Sequence, residues 1–203
     1  MDTLTKIMTC AIELFRQFGF KSVTMDDVAR RAGLSKKTLY QFFENKDQVV
    51  TQSVGWYKNE ICKGCLDAMT SSSNAVEGFV KIQGMLDSTY NDINPVLISE
   101  LQRFYHEGYL QFRKGLEEDV AQVKRNIEQG IGEGNYREGI DADLLAKFHI
   151  ETAMMILQPN MMVRDRYDML RVNQTVTEHF LYGIMTPKGE KLYRKYREQY
   201  IKQ

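Results

Sequence analysis

Between Leu4 and Phe18 apolar residues return at helical spacing: Ile7, Ala11, Leu14, Phe15 and Phe18 form one stripe, and Gly19 ends it. Thr24 opens a second helix as its cap, with Asp27 three residues on and two acids at the positive end of the dipole. Met25, Val28, Ala29 and Ala32 share a face of this two-turn helix, and Gly33 stops it because glycine takes positive φ without a Cβ penalty. Ser35 caps a third short helix. Leu39, Phe42 and Phe43 fall on one side of it and Lys36, Lys37, Tyr40 and Gln41 on the other. Asn45, with Gln48 three residues on, caps a longer helix to about Met69.

The pattern stays helical to the end of the chain. Ser71–Asn74 reads as a loop, and Asn74 with Glu77 predicts a capping box for a helix to about Tyr90. Asn94-Pro95 starts another, with proline at its first position. Leu116, Val120, Val123 and Ile127 mark a long helix closed by Gly130, Gly132 and Gly134. Asp141 starts a helix whose later half, Ala153 to Leu157, is apolar all round, the pattern of burial on more than one side. A further helix runs from about Val172 to Met185, with Val176, Phe180 and Gly183 on one stripe and Pro187 after it. In the tail from Lys188, six Lys or Arg stand against two Glu, and Leu192, Tyr196 and Tyr200 are spaced by four, which allows one more helix. No strand pattern or internal repeat emerges, so the expected class is all-α.

Composition narrows the partners. The 203 residues are 43% hydrophobic and 27% charged, ordinary for a folded globular chain. No apolar run approaches the roughly 20 residues of a membrane span, and no secretory pattern opens the chain, so a cytoplasmic protein without a membrane partner is expected. Three cysteines do not suggest a disulfide framework. With 27 basic and 27 acidic residues the net charge is zero, so any nucleic-acid role rests on local arrangement.

That arrangement lies in "RRAGLSKKTLYQFFENKD", residues 30–47. Two short helices joined through a glycine turn outline a helix-turn-helix, whose second helix enters the DNA major groove. Lys36 and Lys37 reach phosphates or guanine acceptors, Thr38 a thymine methyl or backbone oxygen, and Tyr40 and Gln41 phosphate or base. Leu39, Phe42 and Phe43 would fix the helix to Ile7, Ala11, Phe15 and Val28. Ser35 is a cap first and a DNA contact second.

Residues 19–50 resemble the DNA-binding domain of the TetR family of bacterial regulators. The match is carried by Gly19, Thr24, Val28, Ala29, Ala32-Gly33-Leu34-Ser35, Lys37-Thr38-Leu39-Tyr40, Phe43, Asn45-Lys46 and Val49. The resemblance implies a three-helix domain at about 1–47 that binds a double-stranded operator, Thr24 included among its contacts, with Tyr40 on phosphate and Lys46 on the DNA backbone. It also implies a larger helical effector-binding and dimerisation domain at 48–203. Lys36-Lys37 is more basic than the usual pair, and Gln41 replaces the commoner arginine, tyrosine or histidine, which leaves the operator sequence open.

The resemblance further implies a homodimer formed on the last two helices of the body, at about 142–157 and 172–186. Leu145, Phe148, Met155, Val176, Phe180 and Ile184 are the candidate interface residues, although the same apolar surplus suits a monomer core. Methionines and aromatics of the body, Tyr90 and Met154 among them, are core or pocket wall, since such side chains suit apolar ligands. The candidates for an effector pocket are Phe79, Met85, Phe104, Tyr105, Phe112, Phe148 and Met155. A protein partner in place of a small effector is the alternative. Cys62-Lys-Gly-Cys65 suggests a thiol sensor more weakly than it does structural cysteine, because a lone pair lacks the four ligands of a zinc site. His106, His149 and His179 lie on separate helices. No catalytic group, metal or cofactor is expected.

Overall fold

The computed structural model describes residues 2–90, 94, 96–157 and 169–201, without the side chains of 88–90. It is all-α, and the only extended pairing among the described residues is an isolated antiparallel bridge between Tyr136 and Met185. Pro95 and the side chain of Tyr90 lie outside the described residues. The chain forms two compact units, residues 1–61 with 92–115, and residues 62–91 with 116–203.

The first unit holds α1 (Thr3–Phe18), α2 (Met25–Ala32), α3 (Lys36–Phe42), the first part of α4 (Lys46–Thr70), then, from later in the chain, α6 (Leu97–Phe104) and the start of α7 (His106–Gly132). The segment expected as a domain at 1–47 lies wholly inside it. Local chemistry sets the boundaries. The Thr24 hydroxyl accepts from Asp27 N–H while the Asp27 carboxylate accepts from Thr24 N–H, and Gly33 adopts φ 66, ψ 35. Ser35 Oγ accepts from Thr38 N–H at 3.0 Å, and Asn45 Oδ1 from Gln48 N–H at 2.9 Å.

Ile7, Ala11, Phe15, Val28, Ala32, Leu39, Phe43, Val49 and Leu101 fill one core with Phe20 and Tyr105. Two expected members are absent from it. Phe42 is 40% exposed: α3 ends there, and Phe43 leaves the helix with extended backbone (φ −139, ψ 127) and takes the core position alone. Phe18 is 49% exposed at the end of α1. After the start expected at Asn94, α6 stops at Phe104, and the long helix marked by Leu116 to Ile127 begins as α7 at His106, with Tyr105 turned into the core between them.

The second unit holds the rest of α4 and α7, with α5 (Ala75–Tyr90), α8 (Ala142–Ile156), α9 (Met169–Ile184) and α10 (Pro187–Tyr200). Asp141 caps α8 as expected, through Leu144 N–H. Gly130 is inside α7, and Gly132 is its last residue. The Tyr136 ring lies so close over Gly130 that a Cβ there would overlap it, and Gly134, at φ +69, makes the turn. Asn74 caps α5 through Glu77 N–H, but the Glu77 carboxylate accepts from the N–H and hydroxyl of Ser73, one residue earlier than a capping box requires.

The basic tail forms α10, which packs on α5. The Tyr200 hydroxyl donates to Glu77 Oε1 at 2.9 Å, and Asn74 Nδ2 donates to the Tyr196 hydroxyl at 3.0 Å. The core of this unit is built from Ala75, Val76, Phe79, Val80, Ile127, Tyr136, Ala146, Phe180, Leu181, Ile184, Tyr193 and Tyr196.

Candidate nucleic-acid interface

Helix α3 has a locked side and a free side. Leu39 is fully buried and Phe43 nearly so, which fixes the helix against α1 and α2. Lys36, Lys37, Tyr40 and Gln41 all face solvent, with Tyr40 45% exposed. They are not equivalent. Lys36 Nζ pairs with Asp26 Oδ1 at 2.9 Å, and that carboxylate raises the lysine's pKa. The side chains of Lys37, Tyr40 and Gln41 have no hydrogen bond or ion pair among the described residues. They can offer an ammonium, a phenol and an amide to a partner without breaking an existing contact.

The hydroxyls expected at the interface are engaged in holding the helices. Thr24 Oγ1 bonds Asp27 Oδ2 at 2.6 Å, which lowers the Asp27 pKa. Ser35 Oγ and Thr38 Oγ1 are hydrogen-bonded to each other at 2.8 Å. The Ser35–Thr38 bond uses one of the two hydroxyl protons and leaves the other to donate to a phosphate, whereas Thr24 would have to turn its proton away from Asp27 to do so.

Lys46 is placed differently from the expectation. It is half-buried; its ammonium donates to the Lys21 carbonyl at 3.3 Å and lies 5.9 Å from the centre of the Tyr105 ring. Burial pushes its pKa down, against the pull of Glu100 and Asp47.

The seven residues expected to line an effector pocket are divided between the two units. Phe104, Tyr105 and Phe112 belong to the first unit, where Tyr105 is core and Phe104 is 45% exposed. Phe79, Met85, Phe148 and Met155 belong to the second, where Phe79 is core and Phe148 and Met155 face outward. Residue types alone do not reveal which helix face meets which. An open depression of about 510 Å³ in the first unit is lined by Leu14, Phe18, Ser22, Val23, Asp27, Arg30 and Arg31, none of them in the expected set.

The expected interface also divides. Phe180 and Ile184 are buried in the chain's own core, so they are removed from the candidates, and Leu145 and Val176 are half-buried. The apolar spacing along α9 marks its inward face; its open stripe is Thr175, His179 and Tyr182. In the later half of α8, expected to be buried on more than one side, Met155 is 50% exposed, and it continues an open face with Leu144 (63%) and Phe148 (59%). Leu144 and Tyr182, which are outside the expected set, are exposed as well. The i, i+4, i+11 spacing of 144, 148 and 155 was the available signal.

The remaining candidates stay apart. Cys62 and Cys65 are buried thiols, and Cys62 Sγ donates to Asp119 Oδ1 at 3.5 Å. The His149 ring stacks against Phe180 (4.5 Å between centroids) and Phe79 (5.3 Å), and burial lowers its pKa to about 4. His106 and His179 are exposed. Among the described residues no group of three or more His, Cys, Asp or Glu is placed to hold a metal ion, and no helix is long and apolar enough to cross a membrane.

Residues 7–52 match the family described as bacterial regulatory proteins, tetR family. The chain is 24% identical over 180 residues to the HTH-type transcriptional regulator YvaF of Bacillus subtilis, covering 88% of this chain and 94% of that one. It is 23% identical over 154 residues to the HTH-type transcriptional repressor KstR2 of Mycobacterium tuberculosis, covering 72% and 76%. In fold it is similar to the transcriptional regulator FadR of Bacillus subtilis, solved in complex with stearoyl-CoA, with a TM-score of 0.66, 19% identity, and coverage of 89% and 98%.

Proposed function

The chain belongs to the TetR family of bacterial transcriptional regulators, and from that premise we propose that it is a homodimeric repressor, released from a palindromic operator by a small-molecule effector. The observation that carries this reading is the division of α3: Leu39 and Phe43 hold one side in the core while Lys37, Tyr40 and Gln41 stand free on the other. Tyr40 serves phosphate and Gln41 a base edge. Lys37 serves phosphate. Lys36, Thr24, Ser35 and Thr38 add contacts at the rim of the groove.

One such module binds weakly. Two, about 34 Å or more apart in a dimer, read a two-fold site. The exposed stripe of Leu144, Phe148 and Met155 on α8, with Tyr182 of α9, is the face we assign to the second copy. Release follows from linkage: an effector that prefers the conformation with misplaced recognition helices lowers operator affinity by its preference between the two states. Because FadR was solved with stearoyl-CoA, a long acyl thioester is the first effector class to try. A DNA-bound regulator of this kind works in the bacterial cytoplasm.

The test is duplex selection from a random pool with the full chain and two variants. Gln41→Ala is expected to relax preference at one symmetric pair of positions, and Tyr40→Phe to weaken all duplexes alike. Preferences that stay unchanged in Gln41→Ala would remove α3 from the reading role.

A further inference from the structure

The turn that joins α1 to α2, Gly19 to Val23, carries the orientation of the whole α2–α3 pair, yet its fixed points come from elsewhere in the chain. Lys21 N–H donates to Glu100 Oε2 of α6 at 3.0 Å, and Lys21 C=O accepts from Lys46 Nζ of α4 at 3.3 Å. Both polar groups of one residue are therefore held by side chains, one by an anion and one by a cation. Gly19, at φ +82, permits the approach: a Cβ there would come within 3.0 Å of the same Glu100 oxygen. Beside this grip Asn94 N–H donates to Arg16 C=O at 2.6 Å, Asn94 Nδ2 donates to Gln17 C=O at 3.3 Å, and Lys21 Nζ lies 4.7 Å from the centre of the Phe104 ring.

These contacts belong to the first unit, and two of its helices, α4 and α7, run on past its limits at 61 and 115. The turn before the reading helices is thus set by residues on helices that continue out of the unit or immediately precede one that does.

We infer that Glu100 and Lys46 are positioning residues for DNA binding, which clamp the N–H and C=O of Lys21 and so fix how α2 and α3 are presented to the operator. The inference rests on the DNA-binding reading above, and it replaces the phosphate contact that family resemblance implies for Lys46. Charge-assisted hydrogen bonds are the strong ones, and their loss frees the turn to sample orientations that a bound duplex must then select against.

The experiment is anisotropy titration of the full chain with a duplex it selects from a random pool, over a series of salt concentrations, with melting curves for every variant. Glu100→Ala and Lys46→Ala are each expected to bind about tenfold more weakly, the scale of one charge-assisted hydrogen bond. Glu100→Gln should recover most of that loss, because its amide oxygen still accepts from Lys21 N–H. The double variant should bind no more weakly than about threefold below the worse single one, since both contacts hold one residue. The salt slope of Lys46→Ala should equal the parent's. Lys46 is only half-buried, so that variant carries the test if Glu100→Ala melts too low to assay. Parent-like or tighter binding in either alanine variant overturns the inference, and so does a slope reduced by about 0.9 per phosphate lost, which would return Lys46 to the DNA backbone. A parent chain that enriches no duplex removes the DNA-binding reading and this inference with it.

Discussion

Removing the Lys37 ammonium tests the free side of α3 quantitatively. The side chain is exposed, and among the described residues nothing pairs with it, so its whole charge is available to a phosphate. Each phosphate neutralised on duplex DNA contributes about 0.9 to the slope of log K against log salt. Two copies in a dimer give about 1.8. Between about 50 and 200 mM salt, a fourfold range, the parent should lose about 12-fold more affinity than Lys37→Ala does. Lys36 supplies the internal control. Asp26 holds its ammonium at 2.9 Å, so Lys36→Ala should change the slope less, and Asp26→Ala should steepen it by freeing the lysine. Anisotropy titrations against the selected duplex at four salt concentrations read all three. A slope change below about 0.5 for Lys37→Ala, or a larger change for Lys36→Ala than for Lys37→Ala, would refute the assignment.

Three further predictions concern the second unit. Burial alone would raise the Glu77 pKa, but the hydroxyl and N–H of Ser73, with Tyr200 and Lys81, hold it at about 2 against an ordinary 4.5. The fold therefore gains from the charged form above pH 4.5 and loses that gain as pH falls toward 2. In urea unfolding Glu77→Gln should cost about 2 kcal/mol at pH 7 and less than half of that at pH 3; equal costs at the two pH values contradict the network. His149 has the opposite charge logic. Its folded pKa of about 4 lies below the ordinary 6.5, so stability is complete above pH 6.5 and falls as pH drops from 6.5 through 4. The parent should lose about 2 kcal/mol between pH 7 and 5 from this group, and His149→Phe should remove that part of the pH dependence. A parent and variant with the same pH profile would show that the ring is not held neutral. Phe148→Glu, at 59% exposure on α8, should leave the melting temperature within a few degrees while light scattering reports a monomer; an unchanged mass contradicts the interface.

What the sequence displayed was local chemistry. The caps at Thr24, Ser35, Asn45 and Asp141 and the stop at Gly33 act within four residues, so the eye finds them in order along the chain. The free side of α3 was legible for the same reason. Phe42 was misplaced because a seven-residue helix gives two neighbouring aromatics nearly equal claim to the core, and only the extended backbone at Phe43 decides between them. The break at Tyr105 carries no glycine or proline, so the sequence marks two helices here but not the point where one ends and the next begins. Along α9, spacing identified an apolar face but not what it meets; the face turned out to be core at Phe180 and Ile184. The Glu100 grip on Lys21 joins residues 79 positions apart, a distance at which single-sequence patterns are silent.

The central claim is that two copies of α3 read one duplex. Selecting from a random pool with the full chain and then weighing the complex with the enriched duplex by native mass spectrometry tests it most directly. The account predicts an enriched sequence with two-fold symmetry carrying an even number of chains, and loss of the enrichment in a Lys37→Ala, Tyr40→Ala, Gln41→Ala triple variant that still folds. An unsymmetrical site held by a single chain, or enrichment that survives the triple variant, would contradict it.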